Sequence, residues 1–105
     1  MKKIEYELDG DYKGRTYRLM IRCDPSYDNP ESFAVTMYYK SAEKGESIQI
    51  VRIDNCHGYS HIDELYKGTD DRKPEVELNV WEAANYLENN WTIYARKHEE
   101  NRDNI

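Results

Sequence analysis

Tyr17-Arg18-Leu19-Met20-Ile21-Arg22-Cys23 is the stretch that decides the fold. Tyr17, Leu19, Ile21 and Cys23 alternate with Arg18, Met20 and Arg22, the two-residue period of a half-buried strand. One row points to a core, and Arg18 and Arg22 stand on the other face. Upstream, Ile4, Tyr6 and Leu8 alternate with charged residues and predict a second strand. Asp9-Gly10-Asp11 and Lys13-Gly14 form the turn region between the two. Downstream, Asp24 to Ser32 carries Pro25, Ser26, Asp28, Asn29 and Pro30, and reads as a loop. Phe33 to Tyr39 is aromatic and β-branched, as strands prefer. A polar connection from Ser41 to Glu46 leads into Ile48-Gln49-Ile50-Val51-Arg52-Ile53, a nearly continuous strand. His61 to Tyr66 suits a further strand, with His61, Asp63 and Leu65 on one side, and Glu75 to Leu78 a short edge strand.

The last third reads as a helix. Asn79 is an N-cap, and Glu82 three residues later completes a capping box. Val80, Ala84, Leu87, Trp91, Tyr94 and His98 recur at spacings of four and three, one stripe of a helix about six turns long. Trp91 is expected in the core, Trp81 lies off the stripe, and His98 is expected on the surface near the positive-favouring C-terminus. Short connections between strands favour a meander. The expected fold is α+β: a twisted antiparallel sheet of four to five strands with one long C-terminal helix packed on one face. Residues 1–105 form one domain.

Composition narrows the functional classes. Leu, Ile, Val and Phe number only 18 of 105, but ten Tyr and two Trp supply the apolar area that a disordered chain lacks. No apolar run approaches the roughly 20 residues of a membrane span. The start, Met1-Lys2-Lys3-Ile4-Glu5, has no apolar stretch behind its charges and is not a secretory signal. Cys23 and Cys56 are too few for a disulfide framework. These features predict a cytoplasmic protein away from membranes. The net charge of −6 disfavours non-specific nucleic-acid binding. Residues 1–23 nevertheless hold six Lys or Arg against four acids, so a local basic strip belongs there.

Chemistry concentrates in Arg52-Ile53-Asp54-Asn55-Cys56-His57-Gly58-Tyr59-Ser60-His61-Ile62-Asp63. Two of the three histidines lie here, where a strand runs out into a loop, a common place for functional side chains. Metal-independent RNA cleavage needs an acid, a base and a cation on the phosphate. His57 and His61 suit the first two roles and Arg52 the third. Asp54 or Asp63 could orient an imidazole. Arg18, Arg22 and Tyr59 are candidate substrate-binding residues. Other readings of the same residues stand beside this one. The histidines are ordinary polar loop residues and Asp54-Asn55 a strand-ending turn. Cys56, His57, His61 and Asp63 are competent metal ligands, but their spacing matches no metal motif, so no metal set is assigned and no cofactor is expected. A third alternative is a non-enzymatic protein-interaction module whose acidic stretch from Asp63 to Glu77 meets a basic partner.

Arg52-Ile53-Asp54-Asn55, then His57-Gly58 and His61, followed by a long C-terminal helix, resembles small uncharacterised prokaryotic proteins related to the TumE-like toxins of toxin–antitoxin modules. The resemblance covers most of the chain after about Ser32. It implies a toxin-like domain acting on RNA and paired with a DNA-binding antitoxin. Exposed aromatics and open sheet edges also leave room for a homodimer.

Overall fold

The computed structural model describes residues 2–25, 31–41, 45–55, 60–65 and 75–103. Five strands run in chain order: β1 (Lys2–Tyr12), β2 (Arg15–Asp24), β3 (Ser32–Lys40), β4 (Ser47–Asp54) and β5 (His61–Glu64). Each pairs antiparallel with the next, giving the sheet order β1-β2-β3-β4-β5. One helix follows, α1 (Val80–Asp103), and packs on one face of the sheet. The α+β meander expected from the periodicity is the observed architecture.

The decisive stretch lies centrally in β2. Tyr17, Leu19, Ile21 and Cys23 are buried against the helix, while Arg18, Met20 and Arg22 are half-buried on the opposite face. Val35, Met37 and Tyr39 continue that inner row across β3. In β4 the apolar run Ile50-Val51 would put one residue outward in a regular strand. A register shift prevents this: Met37 pairs with Val51 and Tyr38 with Gln49, so Ile50 is an extra residue and both are fully buried.

The first hairpin extends further than its alternation predicts. β1 runs on to Tyr12 through a register shift between Glu7 and Asp11. Gly10, at φ +99°, takes up that shift, and its missing side chain lies over Trp91. Only Lys13 and Gly14 form the turn. Both have positive φ, as the two-residue hairpin turn matching strand twist requires. At the other end, β5 stops at Glu64, and the stretch expected as an edge strand is a single bridge from Glu75 to His61. Ser60 anchors that stretch instead, its hydroxyl reaching the carbonyls of Val76 and Leu78.

The capping box forms as the sequence implies. Asn79 Oδ1 accepts from the Glu82 amide at 2.9 Å, and Glu82 Oε1 from the Asn79 amide at 3.0 Å. Val80, Ala84, Leu87, Trp91 and Tyr94 face the sheet. Trp81 is exposed. His98 departs from expectation: it is buried, with Nε2 3.3 Å from the Tyr39 hydroxyl. The inner row of β3 carries Tyr39 to the last turns of α1, where its hydroxyl gives the imidazole a polar partner. Beside it, Arg15 stacks on the Tyr39 ring and pairs with Glu99, fastening the first hairpin to the helix end. Among the described residues, no helix is long and apolar enough to cross a membrane.

Two tyrosines tie this packing to pH. Burial, then a hydrogen bond to the Glu88 carboxylate, pushes the Tyr6 phenol well above its ordinary range. Burial also raises Tyr17, with Arg15 partly offsetting it. Both phenols hold protons that the unfolded chain releases at about pH 10. Their contribution is therefore complete below that pH and lost as pH rises further. Chemical denaturation should give falling stability above about pH 10, and Tyr6→Phe should flatten that fall. A stability that stays level through this range in the wild-type chain would contradict the expectation.

Candidate functional site

The face of the sheet away from α1 carries the chemistry. Antiparallel pairing places cross-strand neighbours on one face, so the register defines its rows. One row reads Lys3, Arg22, Ala34, Asp54, His61 from β1 to β5. The next reads Glu5, Met20, Thr36, Arg52, Asp63. In the third, Arg18 stands between Glu7 and Tyr38, with Nη1 3.2 Å from the Glu7 carboxylate and Nε 3.3 Å from the Tyr38 hydroxyl. Thr36 and Tyr38 are buried although no helix covers them. Their neighbours across the ladder are Met20 and Arg52, and Arg18, long side chains whose stems are able to cover the sheet.

Asp54 is the hub. Its Oδ1 lies 3.0 Å from His61 Nε2 and its Oδ2 3.0 Å from Arg52 Nε. Arg52 Nη2 reaches Asp63 Oδ2, directly opposite on β5, at 3.4 Å. The Asp54 carboxylate is only 10% exposed and the His61 side chain 2%. Arg52, Asp54 and His61, together with Asp63, are thus brought into one array, and Asp54 rather than Asp63 is the carboxylate on the imidazole. Asn55 plays a different part. Its Oδ1 accepts from the Phe33 amide at 2.9 Å and its Nδ2 donates to the Glu31 carbonyl at 3.2 Å. It ties the end of β4 to the start of β3.

A pocket of about 250 Å³ opens beside this array, lined by Arg22, Cys23, Asp24, Ser32, Phe33, Ala34, Arg52, Asp54 and Asn55. Its origin is the row itself. Ala34 is the short side chain between Arg22 and Asp54, so the surface dips where it stands. Arg22 and the Arg52–Asp54 pair form opposite walls, and Phe33 adds an apolar surface. Burial pushes the Cys23 thiol up, so it stays protonated near neutrality and is a poor nucleophile.

Of the residues singled out in the sequence, Arg22, Arg52 and Asp54 line the pocket, and His61 stands behind Asp54. Arg18 lies on the same face but not in the pocket. Cys56, His57 and Tyr59 fall outside the described residues. Among the described residues, no group of three or more His, Cys, Asp and Glu side chains could hold a metal ion. Ala34 and Phe33 escape a sequence reading. Ala34 matters through its neighbours in the register, which no local pattern reveals.

Residues 1–104 match the family model described as Domain of unknown function (DUF7718), and the chain belongs to that family. No curated protein and no solved structure matches it.

Proposed function

For this member of that family, we propose that the domain acts by binding a protein partner, with the pocket between Arg22 and Asp54 as the contact. The observation that carries the reading is the burial of His61, 1% exposed with Nε2 engaged by Asp54. A general acid or base has to reach the proton it transfers, and this ring is nearly sealed from solvent with its Nε2 on the Asp54 carboxylate. Arg52 is held by two carboxylates, so it offers a phosphate little uncompensated charge. The array is a rigid wall. Arg22 is the cation left to act outward: it lines the pocket, and among the described residues it forms no ion pair with a carboxylate. A carboxylate from a partner side chain or chain end pairs with its guanidinium, and Phe33 lends the pocket an apolar lining. The partner is therefore an acidic protein segment, and an antitoxin-like protein of a small prokaryotic operon, meeting this one in the cytoplasm, fits that description.

Expression of the tagged full chain in its native host should retain a stoichiometric protein partner. Arg22→Ala should weaken that complex by about tenfold or more without changing the fold. A partner held equally well by the variant would remove the pocket from the reading.

A second reading, a toxin-like ribonuclease working without metal, is favoured by one observation. Arg18, Arg22 and Arg52 share the open face of the sheet, with Tyr38 beside Arg18. It needs His57 as the accessible acid–base group, with His61 supporting Asp54. RNA cleavage by purified protein that disappears in His57→Ala would replace the first reading with this one. RNA left intact across pH and metal conditions would eliminate it.

A further inference from the structure

We propose that the outer edge of β1 pairs antiparallel with β1 of a second copy of this chain, about a twofold axis through Ile4, joining two sheets into one. β1 is the end strand of the sheet, and its outer edge pairs with no strand among the described residues. The opposite end is not equivalent, because β5 is bridged at His61 by Glu75 and the Val76 amide bonds to the Ser60 carbonyl. An open edge presents a row of backbone donors and acceptors ready for another strand. From Lys2 to Glu7 the β1–β2 ladder is regular, and the shift comes only beyond Glu7. That segment is a straight template.

Its side chains select both the partner and the register. With the twofold at Ile4, Ile4 faces Ile4, Lys3 faces Glu5 twice, and Lys2 faces Tyr6 twice. Ile4 is among the few large apolar residues left exposed, at 38%, and a second Ile4 covers it. Lys3 and Glu5 already attract each other within one strand, 3.6 Å apart. Across the axis the same two residues form two reciprocal pairs, on the face away from the helix. Moving the axis to Lys3 opposes Lys3 to Lys3, and moving it to Glu5 opposes Glu5 to Glu5. Like charges directly opposite destabilise a sheet. A one-residue slip sets Ile4 against Lys3 or Glu5 of the second copy and puts the two helices on opposite faces. Among these registers, the one centred on Ile4 alone satisfies charge and burial together. Charges on an edge strand commonly repel further strands. Here their order makes the edge complementary to itself. The inference does not depend on the pocket reading, since Arg22, Ala34 and Asp54 lie off this edge.

The test is the mass of the full chain in solution, by sedimentation across a concentration series, for wild type, Lys3→Glu, Glu5→Lys and the double reversal. Wild type should dimerise. Each single reversal turns two attractions into two repulsions and should weaken the dimer by about tenfold or more, and the double reversal should recover it. Ile4→Cys gives an independent readout, because facing residues at the axis lie close enough for an oxidised chain to run as a covalent dimer. A wild-type monomer throughout the series would overturn the proposal. So would a double reversal that associates no better than the single ones, or an Ile4→Cys chain that stays uncrosslinked on oxidation.

Discussion

Asp54→Asn should lower the folding free energy by about 3 kcal/mol, read as a shifted denaturation midpoint at unchanged slope. The carboxylate lies between His61 Nε2 and Arg52 Nε, both at 3.0 Å, and is nearly out of contact with water. An amide of the same shape offers one acceptor where two were used and carries no charge. Arg52 then keeps only Asp63, and the imidazole loses its ionic partner in a site too dry to replace it. Asp63→Asn is the control. It makes one longer contact, at 3.4 Å, and its loss should cost about 1 kcal/mol or less. Arg52→Met combined with Asp54→Asn should be clearly less damaging than the sum of the two, because they share one interaction. If Asp54→Asn left stability within about 0.5 kcal/mol of wild type, the array would not support the fold. Its charge would then have to be explained by what binds in the pocket.

Tyr17→Ala should cost about 4 kcal/mol, a large part of the roughly 5–15 kcal/mol typical of a domain this size. Tyr17 is fully buried, and its ring meets Tyr39 at 5.4 Å and Trp91 at 5.5 Å between centroids. With few aliphatic residues in the chain, this cluster is where β2, β3 and α1 meet. Removing the central ring leaves a cavity whose walls belong to two layers and cannot close together. Tyr17→Phe keeps the ring and should change stability by no more than about 1 kcal/mol. The tryptophan emission of Trp91 should report the alanine change directly, since its neighbour is gone. Equal losses for Phe and Ala would place the stabilisation in the hydroxyl and refute the packing argument.

Much of this was legible in the order of residues. The two-residue period from Tyr17 to Cys23 named the inner and outer faces of β2, and the outer arginines emerge on the open face as that period requires. Asn79 and Glu82 stated where the helix begins. These are local signals, settled by neighbours two to four positions away. The chemistry-bearing segment was also visible as a cluster of polar types, and Arg52, Asp54 and His61 do meet.

The features that stayed hidden depended on register. Whether Asp54 or Asp63 would take the imidazole is decided by which residues of β4 and β5 stand opposite one another, and that is set by pairing across the sheet. The pocket exists because Ala34 falls between Arg22 and Asp54, three residues from three strands. His98 looked like a surface residue by position along its helix and is buried because Tyr39 arrives from β3. The sequence by itself thus determined the main elements, the two faces of β2 and the antiparallel order of the sheet, because those rest on periodicity and short connections. Only the tertiary structure decided that His61 is walled in behind Asp54 while Arg22 faces the pocket. Burial of one side chain and exposure of another on the same face depend on the lengths of their cross-strand neighbours.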